Sequence, residues 1–152
     1  MSDRVIVHSG AAGLIVEAMG AGSPVVCLHA GVADRRVWHE TTALLTDRHR
    51  VYTYDRRGFG DTEFRKEAFS HVDDLAAVID ATEADPVILI GNSLGGKIAL
   101  DYSLDHGDRV AGLVLVAPAV GGAPAPGRIA ASVVKLDEAI EAADAAGDSD
   151  LV

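Results

Sequence analysis

Val87-Ile88-Leu89-Ile90-Gly91-Asn92-Ser93-Leu94-Gly95-Gly96 decides how this chain is read. Four apolar residues in a row suit a strand covered on both faces, as in a parallel sheet. From Leu94 the pattern is helical to about Asp105, and Gly107 stops it. Between strand and helix lies G-x-S-x-G, Gly91 to Gly95. A turn this tight forces the central serine into an unfavourable backbone conformation, and only small residues two positions to either side avoid a clash. Ser93 Oγ then stands exposed above the sheet edge, with the helix N-terminal N–H groups aimed at the same point. Ser93 is therefore the candidate nucleophile. Other glycine-rich turns fit less well. A phosphate-binding Walker loop needs Ser or Thr after its lysine, and here Ile98 follows Lys97. The glycine spacing of a dinucleotide-binding turn is absent too.

The same alternation extends outward in both directions. Val25-Val26-Cys27-Leu28 is a second wholly apolar run, entered through turn chemistry at Gly20-Ala21-Gly22-Ser23-Pro24. Asp34 can cap a helix running to about Asp47, with Val37, Thr41, Leu44 and Leu45 on its inner face. Val51 to Tyr54 is a strand, and Val72 to Thr82 a helix with Leu75, Val78 and Ile79 inward. Val110 to Val116 is a further apolar strand. Ahead of all these, Arg4 to Gly10 and Gly13 to Met19 form an opening hairpin. Strands alternating with helices imply right-handed crossovers and a three-layer α/β/α, doubly wound, mostly parallel sheet. Residues 1–120 form this core. Gly121 to Gly127 is a linker, and Ile129, Val133, Leu136 and Ile140 recur at helical spacing beyond it.

Composition narrows the function. A chain of 152 residues suits one domain. Its 49% apolar and 24% charged residues are those of a globular protein. Thirteen basic against twenty-three acidic residues give a net charge of −10, which repels nucleic acid and anionic lipid. The single cysteine, Cys27, allows neither an internal disulfide nor a cysteine-based metal site. No apolar stretch approaches the ~18 residues of a membrane span. The N-terminus enters a strand pattern directly, with no signal peptide, so a cytoplasmic protein is expected.

Two strand-end loops complete the candidate site. His29-Ala30-Gly31-Val32 follows the Val25 strand, and in a doubly wound sheet such C-terminal ends share one crevice. Small residues there let a backbone N–H approach a developing oxyanion, with the Leu94 N–H as second donor. His29 has two readings: a brace that hydrogen-bonds the loop, or a general base for Ser93. Asp55-Arg56-Arg57-Gly58-Phe59-Gly60 reads as scaffold, with Asp55 bracing neighbouring loops.

Together the His29-Ala30-Gly31 loop with Trp38 downstream, the Asp55–Gly60 loop and the Gly91–Gly95 turn resemble an α/β-hydrolase. Order and spacing match from about Val5 to Pro118. The resemblance implies hydrolysis of esters, lactones or activated C–C bonds without a cofactor or metal. It implies Ser93 as nucleophile and the Gly31 and Leu94 N–H groups as oxyanion hole. Serine in the turn separates this chain from haloalkane dehalogenases and epoxide hydrolases, which place aspartate there.

The chain departs from that family after Ser93. A triad acid and histidine are expected in that order on later loops, yet Ala117-Pro118-Ala119-Val120 holds no carboxylate. The one later histidine, His106, lies thirteen residues on, ~20 Å away along the helix. The pattern is that of a fold truncated after its sixth strand and the start of a helical lid, over 121–152. The expected function is a serine carboxylesterase acting on a small ester. The alternatives are a meta-cleavage-type C–C hydrolase or enol-lactonase, and a catalytically incomplete fragment or non-enzymatic module. An unpaired apolar edge on the last strand predicts self-association or a completing C-terminal polypeptide.

Overall fold

The computed structural model describes residues 3–82 and 85–120. The predicted linker and lid helix, 121–152, lie outside them. Six strands form one sheet in the order β1-β2-β4-β3-β5-β6. The opening hairpin is β1 (Asp3–Ser9) and β2 (Ala12–Gly20), paired antiparallel. β2 also runs antiparallel to β4 (His49–Tyr54). From there the sheet is parallel: β3 (Ser23–Leu28) lies between β4 and β5 (Val87–Asn92), and β6 (Val110–Val116) closes the far side. The mostly parallel sheet expected from the apolar runs is therefore present. Among the described residues no helix is long and apolar enough to cross a membrane.

Helices cover the sheet on both faces. α2 (His71–Ala81) and α3 (Leu94–Asp105) lie on one face. There Leu75, Val78, Ile79, Ile98 and Tyr102 bury against Val26, Leu28 and Leu89. Each such aliphatic side chain contributes about 1.5–3 kcal/mol by leaving water. Ser70 caps α2 by accepting from the Val72 and Asp73 N–H groups, and Asp73 and Asp74 follow in its positive first turn.

The opposite face carries α1 (His39–Leu45), preceded by a 3₁₀ turn at Arg35–Trp38. The expected single helix from Asp34 is corrected here. Asp34 does act as a cap, but of the 3₁₀ turn, by accepting from the Arg36 N–H at 2.9 Å. A 3₁₀ turn rotates by about 120° per residue and an α-helix by about 100°, so the inward face shifts. Trp38 and Thr42 are buried, while Val37 and Leu44 are 53% and 83% exposed. Arg35, drawn inward by Asp55, fixes that rotation.

Among the described residues, coverage of this face is also narrower than the apolar runs suggested. Trp38 packs with Val25, Cys27 and Val51, but Ile88 and Ile90 are only half-buried. Their neighbours on β6 in register are Gly112 and Val114, and Val114 is exposed. The burial of Cys27 raises its thiol to about 12, so it is an inert core residue.

Candidate active site

Because β3, β4, β5 and β6 are mutually parallel, their last residues lie along one edge of the sheet. The loops beginning at His29, Asp55, Ser93 and Ala117 therefore converge, as the crevice rule for such sheets requires.

Ser93 stands between β5 and α3 with φ 51° and ψ −115°. Positive φ costs a non-glycine residue about 1–3 kcal/mol and persists only where the surroundings impose it. Here they do. Its N–H donates to the Val116 carbonyl at 2.9 Å, and its own carbonyl accepts from Lys97 N–H and Ala119 N–H at 3.0 and 3.1 Å. Ala117, in the loop that grips it, is the other non-glycine residue with positive φ among those described.

The flanking glycines are demanded by contact. A Cβ on Gly91 would lie 2.5 Å from the Gly95 oxygen and 2.6 Å from the Gly96 Cα. One on Gly95 would fall on the Leu28 carbonyl. Ser93 is half-buried, and among the described residues nothing hydrogen-bonds its Oγ. As the cap of α3 it sits where the N–H groups of the first turn lack intrahelical acceptors.

Gly31 lies beside the side chain of Leu94. The Cβ position of Gly31 is 3.7 Å from Leu94 Cδ2. The loop carrying Gly31 is held from behind by His29, which is fully buried. His29 Nε2 accepts from the Arg56 N–H at 3.1 Å, which places the proton on Nδ1 and lets Nδ1 donate to the Ala30 carbonyl at 2.8 Å. Burial lowers the imidazole to about 4, and the nearby Arg56 charge adds to this against the Ala30 bond. Both ring nitrogens are engaged within the scaffold, as the brace reading of His29 requires and as a base for Ser93 would not be.

The other histidines lie elsewhere. His8 is on β1, His49 opens β4, and His39 and His71 open α1 and α2. His106 ends the 12-residue α3 and stacks on Tyr102 with ring centroids 4.6 Å apart. That helix is ~18 Å long, so His106 is at the wrong end.

Asp55 is the hub of the neighbouring loop. It accepts from the Arg35 N–H at 2.8 Å, from the Asp61 N–H at 2.9 Å, and from the Arg35 guanidinium. Gly60 has φ +53°, and a side chain there would run into this carboxylate. The sequence marks this loop as scaffold but not the part played by Arg56, whose Nη2 donates to the Ala30 carbonyl at 2.8 Å. A basic residue two positions past the end of a central strand is the only signal for it.

The model for the alpha/beta hydrolase fold matches residues 23–146. This chain belongs to the alpha/beta hydrolase family. It is 34% identical over 102 residues to a pimeloyl-[acyl-carrier protein] methyl ester esterase of Aeromonas hydrophila, covering 67% of this chain and 40% of that protein. It is 37% identical over 105 residues to a 2-hydroxy-6-oxo-2,4-heptadienoate hydrolase of Pseudomonas putida, covering 64% and 38%. Among solved structures, Est816, an N-acyl homoserine lactone degrading enzyme, superposes with a TM-score of 0.75 at 28% identity, over 90% of this chain and 51% of its own. This alpha/beta hydrolase chain thus spans about two fifths of the curated relatives it matches.

Proposed function

We propose that this chain carries the nucleophile and oxyanion hole of a cytoplasmic serine hydrolase acting on a small carboxylic ester. The observation that carries the reading is the strained Ser93 at the cap of α3, with glycine enforced at 91 and 95. Ser93 Oγ attacks the acyl carbonyl, its proton passes to a base, and the alcohol leaves to give an acyl-enzyme that water hydrolyses. The Gly31 and Leu94 N–H groups hold the tetrahedral oxyanion. Base and acid come from outside the described residues, through further polypeptide or a second copy that pairs with the β6 edge.

A C–C hydrolase or enol-lactonase acting through the same serine is the second reading. It is favoured by the likeness to the heptadienoate hydrolase and is compatible with Asn92 beside Ser93. The test is hydrolysis of a short-chain p-nitrophenyl ester and labelling by a fluorophosphonate, each with Ser93→Ala alongside. Labelling that vanishes in the variant, with hydrolysis that falls to background, is expected. An oxyanion hole without its triad still leaves ~10³–10⁴ over water in serine hydrolases, and that serine-independent rate is the background the variant keeps. Equal rates in both proteins overturn the reading and leave a non-enzymatic module or an incomplete fragment.

A further inference from the structure

We propose that Arg56 is a positioning residue for the oxyanion-binding N–H of Gly31, acting through the Ala30 carbonyl. The inference rests on the serine-hydrolase reading given above. Ala30 O accepts three hydrogen bonds, from His29 Nδ1 and Arg56 Nη2 at 2.8 Å each and from the Ala33 N–H at 3.3 Å. The two short bonds occupy the lone pairs of the oxygen, the longer one closes the local turn, and together they fix the direction of the carbonyl. The peptide joining Ala30 to Gly31 is planar and trans, so its N–H points opposite to that carbonyl. Holding Ala30 C=O inward, toward the buried His29 and Arg56, therefore aims Gly31 N–H the opposite way, away from both.

The clamp is itself rigid. Arg56 is 1% exposed, and its guanidinium lies 4.6 Å from the centroid of the Phe59 ring, which leans on His29 at 5.3 Å. Its backbone N–H fixes the His29 tautomer, so one residue sets both of the short hydrogen bonds to Ala30.

Arg56 also differs from its neighbours in its partners. Arg35 and Arg57 bury their charge against carboxylates, whereas among the described residues Arg56 has no ion pair. A buried cation without a counter-ion is costly, and here its strongest contact is one peptide oxygen. That contact polarises the peptide and makes Gly31 N–H a stronger donor, an effect largest when negative charge develops opposite it.

The test uses the full chain with Arg56→Met, which keeps the apolar stem and removes the donors. The ¹⁵N order parameter of the Gly31 amide is expected to equal that of the β3 amides in the wild type and to fall in Arg56→Met. Hydrolysis of an oxygen ester is expected to slow by about 10–100-fold, with KM changed by less than about twofold. The matching thionoester, whose sulfur is a poor acceptor, should slow less, so the preference for oxygen over sulfur narrows. A role confined to stability would slow both esters equally through the folded fraction, and that result overturns the proposal. So does a Gly31 amide unaffected by the substitution. Should Arg56→Met not fold, the wild type decides: Gly31 more mobile than β3, or an Ala30 carbonyl ¹³C signal lacking the downfield shift of a doubly bonded oxygen, overturns it. Hydrolysis unchanged by Ser93→Ala would instead defeat the serine-hydrolase reading, while the Gly31 order measurement still tests the clamp.

Discussion

Arg57 and Asp74 meet through two parallel hydrogen bonds, Nε to Oδ2 and Nη2 to Oδ1, each 2.8 Å long. Neither is accessible to water: Arg57 is 4% exposed and Asp74 0%. The pair ties the loop after β4 to the first turn of α2, and Arg57 also reaches the Ser9 carbonyl and Glu67.

Removing Asp74 takes away one of the two carboxylates that Arg57 holds and leaves it Glu67. Asp74→Ala is expected to destabilise the protein by about 1–3 kcal/mol, less than a fully stranded charge would cost, read from urea unfolding. The double variant Arg57→Met/Asp74→Leu should recover part of that loss, because neither charge then remains buried. A loss below about 1 kcal/mol in Asp74→Ala would show that the pair does not brace the fold.

His29 gives stability a pH dependence of known sign. In the unfolded chain it takes up a proton near 6.5, whereas in the folded protein burial delays this to about 4. Between those values the unfolded state binds more protons, so stability falls as pH drops through that window. The contribution is fully present above pH 6.5 and amounts to ~3 kcal/mol. Comparing wild type with His29→Gln isolates it, since His71, lowered in the same direction, remains in both. The stability difference between the two proteins is expected to shrink by ~3 kcal/mol from pH 7 to pH 4. Parallel curves would mean that His29 is not held neutral.

Gly91 and Gly31 predict unequal responses to one added methyl group. At Gly91 the new Cβ meets the backbone of Gly95 and Gly96, which cannot swing away. Gly91→Ala is expected to cost about 1–3 kcal/mol and to abolish labelling of Ser93. At Gly31 the nearest atoms are Leu94 side-chain carbons at ordinary contact distance. Gly31→Ala should therefore change thermal stability by less than about 1 kcal/mol. Similar losses in both variants would mean that the turn at Ser93 is not the constrained element.

Much of this architecture is legible in the sequence because its signals are local. Apolar runs at Val25 and Val87 mark central strands, and Gly91 to Gly95 marks a turn whose sterics allow few other residues. The inward face of α1 is not legible. Val37 and Leu44 look like core residues until the 3₁₀ turn rotates them outward, and that turn depends on Arg35 reaching Asp55 across the chain. Arg56 is hidden for a similar reason. Its role exists only once β3 and β4 pair and bring the Ala30 carbonyl within its reach.

The β6 edge supplies the last prediction. Among the described residues β6 pairs with β5 on one side only, and Val114 and Val116, in register with Ile90 and Asn92, are each 48% exposed. An apolar strand with unpaired N–H and C=O groups is a template for another strand. The full chain is expected to self-associate with rising concentration in sedimentation velocity. Burying a valine contributes about 1.5–3 kcal/mol, and each 1.4 kcal/mol is about tenfold in affinity. Val114→Lys/Val116→Lys should therefore weaken association by at least about tenfold. Lysine also discourages edge pairing directly, because strand addition would bury its charge. A monodisperse monomer at all concentrations would show that this edge recruits no second copy, and would direct the search for the missing base toward further polypeptide.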